Sequence, residues 1–175
     1  MTDLSEASWP MAQPRSDNSV RAATVADLAA LLELERAGFP VLEQWSEQSW
    51  RSELTEPALQ VLIIGTDPLL GAIALRIAGD DVELDRIVVH PRARRSGIAR
   101  TLINNALDGH RAAEKMILEV WTGNAAAIAL YRSFGFTELI NRRDYYGPGR
   151  DAVIMSLPIQ DHRRVQDHRA GEVRA

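Results

Sequence analysis

The apolar residues of the chain follow two regular spacings, one with the period of a helix and one with that of a strand. Leucines within 28–34 recur at helical spacing, so we predict a helix that opens at Thr24-Val-Ala-Asp27 with a capping-box-like start and ends at Gly38. Three further helices are predicted, over 47–54, 97–107 and 124–134. Ser46 is the expected cap of the second helix, and Gly135 is expected to end the fourth.

Shorter apolar runs bounded by turn residues predict strands. These runs cover 20–23, 60–64, 71–77, 82–89, 116–121, 136–141 and 152–157. Turn sequences at Thr66-Asp67-Pro68 and Gly79-Asp80-Asp81 predict that the strands between 60 and 89 form an antiparallel meander. Because the later strands alternate with helices, the sequence predicts an α/β fold with a mixed, mostly antiparallel sheet and flanking helices.

Both ends of the chain are polar and lack any periodicity. We therefore predict a disordered leader over 1–19, one domain over 20–158 and a disordered polar tail over 159–175. The tail repeats Gln-Asp-His-Arg at 160–163 and 166–169, which offers histidine and aspartate to a metal ion. A segment without preorganised geometry is more often a solvated tail, so no metal is predicted.

Composition excludes several classes of function. With 24 acidic and 20 basic residues the net charge is −4, so we expect no nucleic-acid partner. The absence of cysteine excludes disulfides, thiolate metal sites and a cysteine nucleophile. No apolar run approaches the ~20 residues that span a bilayer, and no signal peptide is recognisable. We therefore expect a cytoplasmic protein without a membrane partner, and its oligomeric state is left open.

A basic loop stands between the last meander strand and the helix that follows. It reads His90-Pro-Arg-Ala-Arg-Arg-Ser96 and leads into Gly97. A glycine lets the backbone approach a ligand closely, and a helix N-terminus presents N–H groups and partial positive charge, which suits a pyrophosphate. Taken alone, the loop is interpreted equally well as a solvated arginine-rich turn.

The loop and a later segment together resemble two motifs of one family, the GCN5-related N-acetyltransferases (GNAT). Arg94, Gly97 and Ala99 occupy the fixed points of its motif A, Gln/Arg-x-x-Gly-x-Gly/Ala. The segment from Leu118 to Phe136 is similar to its motif B. Arg-Arg-x-Tyr-Tyr at 142–146 resembles the branch that acetylates the N-terminal alanine of ribosomal proteins, the RimI type.

The resemblance implies a GNAT fold over about 20–158, with a central parallel strand pair that splays apart to hold acetyl-CoA. It implies direct transfer of acetyl to a protein N-terminal α-amine, with the N-terminal alanine of a small-subunit ribosomal protein as substrate. A lysine or small-molecule amine acetyltransferase and a non-catalytic CoA-binding regulator remain alternatives. The implied acetyl-CoA contacts are Ile87, Val88, Val89, Arg94, Arg95, Ser96, Gly97, Ile98, Ala99, Arg100 and Asn124.

Two residues carry the implied proton transfers. Glu119 lies on an otherwise apolar predicted strand, and burial would make its carboxylate a better general base. From the strand alone, a carboxylate paired with one of the many arginines is the favoured interpretation, and the family resemblance reverses that preference. Tyr131 follows twelve residues later, and without context it is an ordinary core aromatic. The resemblance assigns Glu119 as the base and Tyr131 as the acid toward the CoA sulfur, with the Val89 N–H as oxyanion donor.

The substrate side is less well defined. A protein α-amine titrates near ~7.7–8 and a lysine amine near ~10.4, so a carboxylate base favours the N-terminal amine. Tyr145 and Tyr146, before Gly147-Pro-Gly149, and Trp45 are candidate walls of a peptide slot. Loop packing and core packing are the respective alternatives. The extra residues at 41–44 leave the identity of the substrate open.

Overall fold

The computed structural model describes residues 19–160. The predicted leader, apart from Ser19, and most of the predicted tail with its Gln-Asp-His-Arg repeats lie outside the described residues. One residue assigned to the tail is part of the domain. Ile159 is 1% exposed, and its N–H donates to the Glu114 carbonyl at 3.0 Å. The packed domain therefore extends past the predicted boundary at 158, because this apolar side chain continues the core.

Seven strands form one mixed sheet, as predicted. They are β1 (Val20–Ala22), β2 (Leu59–Gly65), β3 (Leu69–Ala78), β4 (Asp81–Val89), β5 (Lys115–Trp121), β6 (Thr137–Arg142) and β7 (Ala152–Pro158). Their order across the sheet is β1-β2-β3-β4-β5-β7-β6. Only β4 and β5 are parallel neighbours, and the predicted meander β2-β3-β4 is antiparallel.

Between residues 19 and 160, four α-helices of nine residues or more flank the sheet: α1 (Leu28–Gly38), α2 (Glu47–Thr55), α3 (Ile98–Gly109) and α4 (Ala125–Phe134). A short 3-10 turn at Val25–Asp27 comes first, so α1 begins four residues after Thr24. The Thr24 N–H donates to the Asp27 carboxylate at 2.8 Å. Ser46 caps α2 by accepting from the Ser49 N–H at 3.0 Å, as expected. No helix between residues 19 and 160 has the length and apolar character needed to cross a membrane.

The helices cover the two faces of the sheet and create two cores. On one face α1 and α2 pack against β2 and β3, with Trp50 and Ile63 fully buried between them. On the other face α3 and α4 pack against the centre of the sheet, around Leu102 and Met116. The two faces therefore present different surroundings to side chains that alternate along each strand.

The parallel pair separates partway along its length. Pairing of β4 with β5 runs only from Val82–Met116 to Leu84–Leu118. On its other side β4 contains a bulge: β3 pairs with Leu84 and then with Arg86, so Asp85 is the extra residue. Both strands continue past this point without pairing to each other. The predicted splayed parallel pair is therefore confirmed, and the bulge marks the start of the opening.

Candidate functional site

The opening between β4 and β5 is a cleft of about 410 Å³. Residues 84–87 of β4 and 119–121 of β5 form its sides. The rest of the lining comes from the α1–α2 segment, from α4 and from the β6–β7 loop: Phe39, Leu42, Glu43, Asn124, Ala127, Tyr131, Tyr146 and Arg150. Five residues selected from the sequence, Ile87, Glu119, Asn124, Tyr131 and Tyr146, are thus brought together around one cavity.

Glu119 and Tyr131 reach the cleft from opposite faces of the sheet. Leu118 and Val120 belong to the core under α3 and α4, so Glu119 between them points to the other face. Tyr131 comes from α4 and is only 4% exposed. Burial raises the pKa of Tyr131 far above its ordinary value, with a smaller contribution from Tyr146. The phenol therefore stays protonated and can donate a hydrogen bond into the cleft.

The Glu119 carboxylate is held by two neighbours from the β6–β7 region. Arg142 Nη1 donates to Glu119 Oε1 at 2.8 Å. Interaction with this carboxylate raises the pKa of the Tyr145 phenol. The side chain of Glu119 is 30% exposed, so the expectation of a buried carboxylate was wrong. Glu119 forms the ion pair with an arginine that the strand pattern allowed as an alternative. Its role as a base stays a prediction.

The paired tyrosines occupy different positions. Tyr146 lines the cleft, and its pKa is raised mainly by burial and then by the charge of Glu119. Tyr145 lies outside the cleft lining and is 48% exposed. Its ring contacts that of Tyr146 edge to face at 5.1 Å. Tyr146 is thus placed to touch a substrate, whereas Tyr145 contacts Glu119.

A buried ion pair beside the cleft was missed in the sequence. Glu35 is 1% exposed and accepts from Arg86 through both carboxylate oxygens, one of them at 3.3 Å from Nε. It also accepts from the Trp45 N–H at 2.7 Å. The available signal was position, because Glu35 lies four residues after Leu31 on the apolar face of α1. A carboxylate on the apolar face of a helix is buried in the folded protein, so it needs a charged or hydrogen-bonding partner.

Trp45 packs behind this ion pair instead of lining the cleft. Its ring lies 5.2 Å from that of Trp50 and 5.0 Å from the Arg86 guanidinium. Trp50 is fully buried, so Trp45 packs against the core, as the core alternative for Trp45 requires. Arg86 itself lines the cleft and lies 3.8 Å from the centre of the Phe39 ring. Trp45 therefore supports the wall that Arg86 and Phe39 present.

Two arginines hold the segment after α1 at the cleft through hydrogen bonds to Glu43. Arg86 Nη2 donates to the Glu43 carbonyl at 2.6 Å, and Arg150 Nη2 donates to the Glu43 carboxylate at 2.7 Å. In the same segment, the apolar side chains of Val41 and Leu42 are 80% and 99% exposed. The residues that lengthen this region thus form one rim of the cleft.

The basic loop has the backbone geometry expected of an anion-binding turn. Arg95 and Gly97 have positive φ, 66° and 88°, and a Cβ at Gly97 would meet open space. The N–H groups at the start of α3, from Gly97 to Arg100, have no carbonyl of their own helix to bond. Together with the partial positive charge of the helix end, they suit the pyrophosphate of acetyl-CoA.

Several side chains of this loop are engaged within the protein. Arg94 donates to the Gly38 carbonyl at 3.0 Å, Ser96 to the Ala93 carbonyl at 2.5 Å and Arg100 to Ser133 at 2.9 Å. Ile98 and Val88 are core residues, at 5% and 3% exposure. Any ligand contact of these two residues must therefore come from the backbone.

Asn124 lines the cleft and also caps α4. Its Oδ1 accepts from the Ala127 N–H at 3.1 Å. The capping bond fixes the start of the helix that carries Tyr131. Within residues 19–160 the structure contains no group of three histidine, aspartate or glutamate side chains arranged to hold a metal ion.

Comparison with known proteins gives a consistent result. Residues 27–136 match the model of the acetyltransferase (GNAT) family. The chain is 35% identical over 149 residues to the ribosomal protein bS18-alanine N-acetyltransferase of Escherichia coli K12, across 81% of this chain and 98% of that protein. It is 34% identical over 143 residues to N-alpha-acetyltransferase RimI of Mycobacterium tuberculosis, across 78% and 90%. The crystal structure of the Escherichia coli ribosomal-protein-S18-alanine N-acetyltransferase superposes with a TM-score of 0.73, at 31% identity over 81% of this chain and 93% of that one.

Proposed function

The chain belongs to the acetyltransferase (GNAT) family, whose members use acetyl-CoA, and we propose that it acetylates the N-terminal α-amine of a protein. The proposed substrate is the N-terminal alanine of a small-subunit ribosomal protein, in the cytoplasm where ribosomal proteins are made. The observation that carries the proposal is the opening between β4 and β5, at which Glu119 and Tyr131 arrive from opposite faces. The names of the relatives support the substrate class.

The residues around the opening fit acetyl-CoA, which supplies the activated acetyl thioester when it is bound. Past Leu84, the edge of β4 that faces β5 carries no strand partner. Alternate residues among Ile87, Val88 and Val89 direct their backbone groups to that edge and can pair with the amides of a pantetheine arm. The N–H groups of residues 95–100 receive the pyrophosphate, and Asn124 stands across the opening.

Glu119 accepts a proton from the incoming amine. The amine approaches from the sheet face to which Glu119 points, alongside Tyr146 and Phe39. Because the amine must be neutral to attack, a carboxylate at this position activates it by removing a proton from the nitrogen. An α-amine loses its proton more readily than a lysine amine at neutral pH, which favours a protein N-terminus.

Tyr131 donates a hydrogen bond to the sulfur that departs. Its raised pKa keeps the phenol protonated and opposes early proton transfer, so the proton moves late, as the thiolate leaves. The Val89 N–H is the proposed donor to the oxygen that becomes negative during the attack. No cysteine exists in the chain to carry an acetyl group, and transfer in a single ternary complex follows.

A CoA-release assay tests this function with peptides that begin in free Ala, Ser or Met, and with an α-blocked peptide that contains an internal Lys. We expect the free N-terminal peptides to react. Glu119→Gln and Tyr131→Phe should lower kcat/KM, the former by about 10²-fold or more, while acetyl-CoA binding is kept. Glu138→Gln, an exposed carboxylate of β6 away from the cleft, is the matched control.

Two results would contradict the proposal. Reaction of only the blocked lysine peptide would remove the N-terminal substrate and keep the acetyltransferase. Binding of acetyl-CoA without acetylation of any amine would identify a CoA-binding regulator.

A further inference from the structure

Each of the three carboxylates that line the cleft is paired with an arginine. Glu119 pairs with Arg142 at 2.8 Å, Glu43 with Arg150 at 2.7 Å and Asp85 with Arg76 at 2.7 Å. An amine that enters as its ammonium ion therefore meets no unpaired carboxylate among the described residues that line the cleft. It must take the place of an arginine or share a carboxylate with one.

Burial separates the ion pairs that can exchange from those that are fixed, and among the exposed pairs we consider that of Glu119, the proposed base. The side chains of Glu119 and Arg142 are 30% and 46% exposed, whereas those of the neighbouring Glu35–Arg86 pair are 1% and 13% exposed. Exposed ion pairs contribute only about 1.4- to 5-fold to an equilibrium constant. Removing one partner from a buried pair leaves an uncompensated charge and is far more costly. The Arg142 pair is thus exchangeable, and the Arg86 pair is fixed.

The position of Arg142 brings its charge to the substrate side of the sheet. Arg142 lies opposite Ala152 of β7, which in turn lies opposite Trp121 of β5, so it reaches Glu119 diagonally across β7. The guanidinium also lies 5.3 Å from the centre of the Tyr145 ring. This aromatic face lets the guanidinium remain nearby after it leaves Glu119.

We infer that the Arg142 guanidinium occupies the position of the substrate ammonium on Glu119 and is displaced when the amine binds. The inference rests on the proposed acetyl transfer to an amine. A guanidinium keeps its protons, so Arg142 gives no proton to Glu119. The ammonium that replaces it transfers one N–H proton to the Glu119 carboxylate, and the nitrogen keeps the electron pair that forms the new bond to the acetyl carbon. The carbon–sulfur bond breaks, Tyr131 gives its proton to the CoA sulfur, and a second N–H proton of the attacking nitrogen replaces it, so the products are the amide and the CoA thiol.

The test compares Arg142→Gln with Arg142→Lys and with Arg143→Gln. Arg143→Gln removes the same charge from the adjacent exposed position. If Arg142 competes with the amine, Arg142→Gln lowers the KM for the peptide by about 2- to 5-fold, and kcat does not fall. Arg142→Lys restores a competing cation and returns KM toward that of the unsubstituted protein. Arg143→Gln leaves KM unchanged.

Three results would overturn the inference. A lower kcat with unchanged KM in Arg142→Gln would mean that Arg142 orients Glu119. An equal fall in KM for Arg143→Gln would indicate a general charge effect. No change in either constant would show that Arg142 does not compete with the amine at all.

The inference and the proposed function fail separately. If the enzyme acetylates only lysine or small amines, the N-terminal substrate is lost, and the same KM ratio is measured with the amine that reacts. If no amine reacts, calorimetry of a free N-terminal alanine peptide with CoA-saturated protein gives the answer. Tighter binding by Arg142→Gln than by Arg143→Gln supports the exchange, and equal or weaker binding refutes it.

Discussion

Glu53 is a buried carboxyl group of α2 that lies next to the bulge residue of β4. It is 7% exposed, and its Oε2 has no hydrogen-bond partner among residues 19–160. The pKa of Glu53 is raised from 4.5 to about 7, mainly by burial and then by the charge of Asp85, while Arg76 opposes the change. The exposed Glu56 adds a smaller contribution in the same direction. Glu53 is thus held largely neutral in the folded protein at mildly acidic pH.

A folded-state pKa above the unfolded value links stability to pH in a definite direction. The neutral form is favoured by folding, so the contribution is fully present below pH 4.5 and is lost as the pH rises through about 7. Each pKa unit corresponds to ~1.4 kcal/mol, so at pH 9 a protein that carries this carboxylate loses on the order of 3 kcal/mol relative to pH 5. This loss is a large fraction of the total free energy of unfolding of an ordinary domain.

Glu53→Gln removes this titration and nearly preserves the shape of the side chain. We expect the variant to be of similar stability to the unsubstituted protein at pH 5 and on the order of 3 kcal/mol more stable at pH 9. The assay is urea unfolding followed by tryptophan fluorescence at both pH values. The pH dependence of all other groups cancels in the difference between the two proteins. Glu47→Gln, at an exposed position of the same helix, is the control and should change little. A difference between the two proteins that does not vary with pH would refute the reasoning.

Two further predictions concern the frame around the site. Glu35→Gln leaves the buried Arg86 charge without its carboxylate and should lower the free energy of unfolding by about 3–5 kcal/mol. The control Glu47→Gln, in an exposed helix pair, should change the free energy of unfolding by less than ~1 kcal/mol. Equal urea midpoints for the two variants would contradict this prediction. Ile159→Ala should lower it by about 2–5 kcal/mol because the side chain is buried. Ile140→Ala, at 56% exposure, is the comparison, and similar thermal midpoints would show that the domain ends before residue 159.

The elements predicted best are those with local signals. Ser46 caps α2, and Gly135, with φ 99°, ends α4. Both features depend on side chains and backbone angles within a few residues, so the sequence carries them directly. The meander was equally accessible because short turns force consecutive strands into antiparallel pairs. The positions of Glu119 and Tyr131 at one cleft followed from the family resemblance, and strand periodicity alone does not give them.

The features that escaped prediction depend on residues distant in sequence. The bulge at Asp85 is defined by its register with β3, and no local residue pattern announces it. Glu119 was expected to be buried because its neighbours are apolar, but α1 and α2 cover other strands and leave this part of the face open. Its partner Arg142 comes from another strand, 23 positions away. Arg86 and Glu35 are 51 positions apart. Periodicity reports which face a residue takes, and it does not report what covers that face.

The ion pairs around the cleft differ in burial, and this difference separates the fixed wall of the cleft from the guanidinium that is displaced. The Glu35–Arg86 pair, at 1% and 13% exposure, joins α1, β4 and the start of α2, so its loss would release the wall formed by Phe39 and Trp45. The Glu119–Arg142 pair, at 30% and 46% exposure, is weak enough to yield to an ammonium ion of similar charge. If both pairs were buried, the amine would have to overcome a large desolvation cost to reach its base. If both were exposed, the acceptor wall would lack a fixed geometry. A rigid wall beside an exchangeable carboxylate suits acetyl transfer to a free amine.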